Sequence, residues 1–171
     1  MKGNVILHEQ DANLFTKSIL QLDSAIAEMR RLAHNMMPES LLKFGLIQAI
    51  QDYCESINES KILQLTFKDF GINKRLENDT EIILYRVIQE LVNNAIKHAQ
   101  AENIMIQLVK NDNHITLTVE DDGKGFDVKT LEKIKSFGLN NIQSRVDYLK
   151  GNLEIDSKQN IGTSFYITIP V

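Results

Sequence analysis

The sequence predicts an α+β two-layer sandwich with a long helix ahead of it. Three observations carry that prediction. Period-two apolar stretches recur beyond residue 62, helical periodicities are interleaved with them, and a heptad seam runs through the first forty residues. The chain has 171 residues, 43% hydrophobic and 25% charged, a balance that supports a packed core and argues against disorder. That length suffices for one ordinary domain, or one domain with a helical extension.

In the N-terminal segment, Phe15, Ile19, Leu22, Ile26, Met29, Ala33 and Met36 alternate spacings of four and three, an a/d seam sustained over three heptads. A helix with so narrow an apolar stripe buries it against other helices. It could do so within its own domain, but a bundle or subunit interface is preferred, because no glycine or proline interrupts Asn4 to Met37. Pro38 ends the helix. A second amphipathic helix over Gly45–Asn58 presents Leu46, Ile47, Ile50, Tyr53, Cys54 and Ile57.

Ile62–Phe67 then alternates as a strand. After a polar stretch, Asp79 or Thr80 can cap a helix reaching about Ala99. Strands at Ile104–Val109 and His114–Glu120 flank a Lys110–Asn113 turn as a hairpin. A short helix is expected over Thr130–Ile134 and a longer one over Leu139–Leu149, with Leu139, Ile142, Val146 and Leu149 on one face. Strands at Asn152–Asp156 and Ser164–Ile169 close the chain.

Composition excludes several function classes. The net charge of −4 and the scattered lysines and arginines argue against nucleic-acid binding. The single cysteine, Cys54, excludes an internal disulfide and a cysteine-based metal site; it reads as a core residue in a reducing compartment. No apolar run reaches membrane-span length, so the chain reads as soluble without membrane contact, although it could be a fragment of a longer protein. Neither G-x-x-x-x-G-K-[ST] nor G-x-G-x-x-G between a strand and a helix is present.

The helix EIILYRVIQELVNNAIKHAQA poses a physical problem. Ile83, Val87, Val92, Ala95 and Ile96 supply apolar contact, yet Glu90, Asn94 and Lys97 share a face and His98 adjoins them. Asn93 and Asn94 are poor mid-helix residues, because their amides compete for the backbone. A plain solvated face would account for these polar residues. Equally, a carboxylate and an amide oxygen one turn apart form a pair of hard-oxygen ligands suited to Mg²⁺, with a lysine beyond them for phosphate. The stretch VEDDGKGFD, Val119–Asp127, follows a strand directly and reads locally as a turn.

Taken in order, these segments resemble the ATP-binding domain of sensor histidine kinases. QELVNNAIKHA (Gln89–Ala99) resembles its N box, and DDGKG (Asp121–Gly125) its first glycine box. FGLNNI (Phe137–Ile142) with Arg145 resembles its second glycine box, while Gly162-Thr163 and Ile169-Pro170 complete the pattern. The likeness spans roughly Leu63–Val171. Residues 28–46, EMRRLAHNMMP followed by FGL, are similar to the end of the dimerisation region in the subfamily paired with helix-turn-helix response regulators.

The resemblance implies the Bergerat-type ATP-binding fold over residues 45–171. Residues 1–44 would be a helical remnant of the dimerisation region and its linker. It implies that Asp121 accepts from the adenine amino group, and that Gly123 and Gly125 allow close backbone approach. Asn94 would hold Mg²⁺, with Glu90 near the γ-phosphate, on metal-bound water or as a base. Lys97 and His98 would neutralise phosphates, Gly138 and Leu139 would open a helix facing them, and Gly162 and Thr163 would lie near adenine. ATP and Mg²⁺ are the implied cofactors. A response regulator receiver domain and a second copy, joined through the N-terminal helix, are the implied partners. The expected location is the cytoplasm, with a parent protein open to membrane anchoring.

Two departures stand out. Ser136 occupies the position of the first glycine in the second glycine box. No histidine fits the phosphoacceptor: His8 lacks the arginine-rich setting, His34 falls on the second dimerisation helix, and His114 lies in a hairpin. The acceptor helix is therefore expected to be largely missing, so that the chain binds ATP without phosphorylating itself. The alternatives are a serine kinase or ATP-binding regulator of the same fold, of anti-sigma type, and a non-enzymatic coiled-coil module.

Overall fold

The computed structural model describes residues 38–61, 63–127 and 137–171, together with Phe15, Ser18 and Ile19. The chain divides into two compact units, Met1–Pro38 and Glu39–Val171. In the first, Phe15, Ser18 and Ile19 are helical, and the Phe15 and Ile19 side chains are exposed. The rest of the heptad seam, His8 and His34 lie outside the described residues, as do Ser136 and the expected short helix at Thr130–Ile134.

The second unit runs α1 (Glu39–Phe44), α2 (Leu46–Glu59), β1 (Gln64–Phe70) and α3 (Asn78–Asn94), which continues into a π-helical turn (Ala95–Ala99). Then follow β2 (Asn103–Lys110), β3 (His114–Asp121), α4 (Phe137–Tyr148), β4 (Asn152–Lys158) and β5 (Gly162–Pro170). The five strands form one sheet in the order β1-β2-β3-β5-β4. Only β1 and β2 pair in parallel, because α3 supplies the crossover between them; the other pairs are antiparallel.

Alternation explains the two layers. Ile104, Ile106 and Leu108 of β2, Ile115, Leu117 and Val119 of β3, and Phe165, Ile167 and Ile169 of β5 are buried. They align across the ladders, as in Ile106↔Val119↔Phe165 and Leu108↔Leu117↔Ile167. Against this face pack Ile50 and Tyr53 of α2, Leu84, Ile88, Leu91 and Val92 of α3, and Ile142 and Val146 of α4. The intervening Gln107, Thr116, Thr118, Tyr166 and Thr168 are partly or fully exposed. One helical layer therefore covers one sheet face, the α+β sandwich expected from periodicity.

Three local expectations need correction. The first strand is displaced from Ile62–Phe67 to Gln64–Phe70, because parallel pairing from Gln64↔Asn103 to Phe70↔Val109 carries it past the end of the apolar alternation. The link before residue 45 contains α1, closed where the Gly45 N–H meets the Ser40 and Leu41 carbonyls, both at 3.2 Å. Helix α3 starts at Asn78, and Glu77 in the N-cap position makes no side-chain cap bond. Asp79 and Thr80 lie inside the first turn.

What anchors that end is Glu81, only 2% exposed. Its carboxylate accepts Arg75 Nε at 2.9 and 3.0 Å, Arg75 Nη2 at 2.6 Å and the Leu76 N–H at 3.1 Å. Arg75 Nη2 also donates to the Leu41 carbonyl at 3.1 Å, so one guanidinium fastens α1 to α3.

Candidate functional site

The candidate side chains lie on α3 with its π-helical turn, the end of β3, the start of α4 and the start of β5. Glu90 and Asn94 are one turn apart on α3, and both are half-buried. Above them sits the first turn of α4. A Cβ on Gly138 would lie 3.0 Å from Glu90 Oε1, and 3.5 and 3.7 Å from the Asn94 amide nitrogen and oxygen. The pair is thus covered by the opening of α4 and does not form a plain solvated face. Leu139, next along α4, is half-buried against the core.

Lys97 and His98 are exposed on the π-helical turn. A π turn holds more residues than an α turn, so the α-helical phase that puts Lys97 on the Glu90–Asn94 stripe does not carry through it. Gln100, with φ of 55°, closes the turn in the left-handed region.

At the end of β3, Asp121 is half-buried, and its Oδ1 accepts the Gly123 N–H at 3.0 Å. Burial pushes its carboxyl above the usual carboxylate range, an effect opposed by the backbone N–H groups of Gly123 and Thr163. Asp122 behaves oppositely. Its Oδ1 accepts the N–H groups of Glu102 at 2.8 Å and Asn103 at 2.9 Å, and its Oδ2 accepts Asn103 Nδ2 at 2.7 Å. The Asn103 bonds hold its carboxyl below the usual range. Asp122, which reads from the sequence as an ordinary solvated turn residue, clamps the turn to the start of β2.

The glycines of this turn meet protein backbone. A Cβ on Gly123 would lie 2.5 Å from the Ala99 carbonyl oxygen, to which the Lys124 N–H donates at 2.8 Å. Gly125 adopts φ of 55° against the Lys158 and Gly162 carbonyls. Gly162 opens β5 beside the Asp121 carbonyl, and Thr163 is paired with Asp121 across the ladder. Thr163 is buried, its Oγ1 3.0 Å from Ser157 Oγ, a residue the sequence did not bring forward. Only the β4–β5 register, Ser157↔Thr163, makes that pairing visible.

The result is a carboxylate ready to accept a hydrogen bond at one end and a carboxylate–amide pair beside a helix opening at the other. The contact of Gly123 with Ala99 joins the two ends. A five-stranded sheet covered by one helical layer is the architecture of a Bergerat-type domain. The chain belongs to the histidine kinase-, DNA gyrase B- and HSP90-like ATPase family, matched over residues 79–171.

Among curated relatives, it is 34% identical over 170 residues to the signal transduction histidine-protein kinase/phosphatase DegS of Brevibacillus brevis, covering 97% of this chain and 44% of that protein. It is 36% identical over 139 residues to DegS of Bacillus subtilis (78% of this chain, 36% of that one). It is 34% identical over 143 residues to the sensor histidine kinase ComP of the same species (83% and 19%). The chain therefore spans less than half the length of these relatives.

In fold, it resembles the histidine kinase domain of the blue-light-activated histidine kinase from Erythrobacter litoralis EL346, with a TM-score of 0.59 and 20% identity, over 73% of this chain and 60% of that one. It also resembles full-length ShkA, at a TM-score of 0.60 and 14% identity, over 74% and 29% of the two chains. The domain is an ATP-binding domain of the histidine-kinase type. Among the described residues, no helix is long and apolar enough to cross a membrane.

Proposed function

We propose that this chain is the catalytic region of a cytoplasmic two-component histidine kinase. It binds Mg·ATP and delivers the γ-phosphoryl group to a histidine, for relay to the receiver domain of a response regulator. Residues 1–44 act as the dimerisation helix and linker, and residues 45–171 as the ATP-binding domain.

The observation that carries the proposal is the convergence of Gly138 on Glu90 Oε1 and the Asn94 amide, within a domain of an ATPase family. A carboxylate and an amide oxygen are hard donors. A two-ligand set suits Mg²⁺, which keeps several waters and takes its remaining oxygens from phosphates. When bound, the ion would neutralise charge on the phosphate oxygens. In this reading Glu90 and Asn94 hold the ion, and Glu90 stands by the γ-phosphate as base.

Asp121 accepts from the adenine amino group beside Gly123, Gly125, Gly162 and Thr163. The N–H groups at Gly138 and Leu139 face the phosphates. Lys97 and His98 add positive charge. Phosphoryl transfer asks mainly for positioning and charge neutralisation, which this arrangement can supply.

The test is a thermal-shift titration with Mg·ATP, in which a ligand at one hundred times its Kd stabilises by roughly 2.7 kcal/mol. A rise in Tm is expected for the wild type, and a much smaller, Mg²⁺-independent rise for Asn94→Ala. No shift at millimolar Mg·ATP would remove the ATP site, and an unchanged Mg²⁺ response in Asn94→Ala would remove the metal role.

A further inference from the structure

Resting on the ATP reading above, we propose that Ser157 is the positioning residue for base recognition. It ties together the three backbone segments that carry and support Asp121. Ser157 Oγ accepts the Phe126 N–H at 2.9 Å, from the backbone that leaves the acid-and-glycine turn. The same oxygen stands 3.2 Å from the Gly162 carbonyl and 3.0 Å from Thr163 Oγ1. Thr163 is itself the ladder partner of Asp121, and its backbone N–H supports the Asp121 carboxylate.

A serine hydroxyl has one proton to donate and two lone pairs to accept with. The Phe126 N–H fills one lone pair. If the Ser157 proton goes to the Gly162 carbonyl, which can only accept, the remaining lone pair takes the Thr163 proton. All three contacts are then satisfied at once. Thr163 Oγ1 is left with its own lone pairs, so the hydroxyl beside Asp121 acts as a hydrogen-bond acceptor. An acceptor facing the exocyclic 6-position suits adenine, whose amine there has two protons to donate, and disfavours guanine, which presents a carbonyl at the same position.

Removing the Ser157 hydroxyl frees the Thr163 rotor, strands the Phe126 N–H and loosens the turn that follows Asp121. Base discrimination should suffer more than folding, because Ser157 is only partly buried.

The experiment measures Kd for Mg·ATP and Mg·GTP on the full chain, for the wild type, Ser157→Ala and Ser157→Thr, with Tm recorded without nucleotide. Expected is about a tenfold loss of ATP affinity in Ser157→Ala, the size of one hydrogen bond, with a smaller ATP-over-GTP preference. Ser157→Thr, which keeps the hydroxyl, should restore both. Equal losses for ATP and GTP, or an unchanged preference in Ser157→Ala, would overturn the positioning role while leaving the ATP site intact. A wild-type chain that binds neither nucleotide would overturn the ATP reading itself, and this inference with it.

Discussion

Asp121 and Asp122 are neighbours in sequence, yet their carboxyl groups are driven in opposite directions. Burial raises Asp121, so the folded chain binds its proton more tightly than the unfolded chain does. Ionisation at this group therefore lowers stability as pH rises from the unfolded value through the raised folded one. Asp121→Asn should leave Tm without nucleotide unchanged or higher while abolishing the Mg·ATP shift. In the wild type, ATP affinity should fall as pH drops through the raised Asp121 value, and titrations at several pH values would read this out.

Asp122 is held below the usual range by its Asn103 bonds. It contributes stability above the unfolded carboxylate value near 4, and that contribution is lost as pH falls through the lower folded one. Asp122→Ala should cost about 1 kcal/mol at neutral pH, a figure kept small because the residue is exposed. The difference from wild type should shrink in acid, as denaturant unfolding at two pH values would show.

Among the elements, α3 carries both structure and site. Its first turn is fastened by Glu81 to Arg75, and through Arg75 to the Leu41 carbonyl of α1. Near its other end, Glu90 and Asn94, one turn apart, lie under Gly138. Glu81→Ala should strand the Arg75 fork and the Leu76 N–H. The expected loss is about 2 kcal/mol, below that for a fully buried pair because the Arg75 side chain is 46% exposed. Urea unfolding would measure it, and a loss below about 0.5 kcal/mol would contradict the clamp. Beyond Asn94, the π-helical turn places Ala99 where Gly123 and Lys124 meet its carbonyl, which locks α3 to the Asp121 turn.

For the whole molecule, the proposed kinase activity needs a histidine presented to the site. Incubated with a longer homologous kinase that carries its own acceptor histidine, this chain and Mg·ATP should yield acid-labile phosphohistidine in trans. Acid-stable phosphoserine on a partner protein would instead favour the serine-kinase alternative. Phosphate analysis after acid and alkaline treatment separates the two outcomes.

Periodicity alone determined the sandwich. The alternation of Ile104, Ile106 and Leu108 and of Ile115, Leu117 and Val119 can bury only one sheet face, and α3 has one broad apolar side to cover it. The ordered boxes around Glu90, Asn94, Asp121 and Gly138 were likewise legible, because their residue types follow the chain in sequence. Tertiary structure alone decided which of them touch. The π turn that carries Lys97 shifts a helical phase, and the Asp122 clamp on Asn103, the Arg75–Glu81 fork and the Ser157–Thr163 pair each join different elements or strands. Local patterns encode periods and turn chemistry; strand register and interhelical contacts arise only when the elements pack.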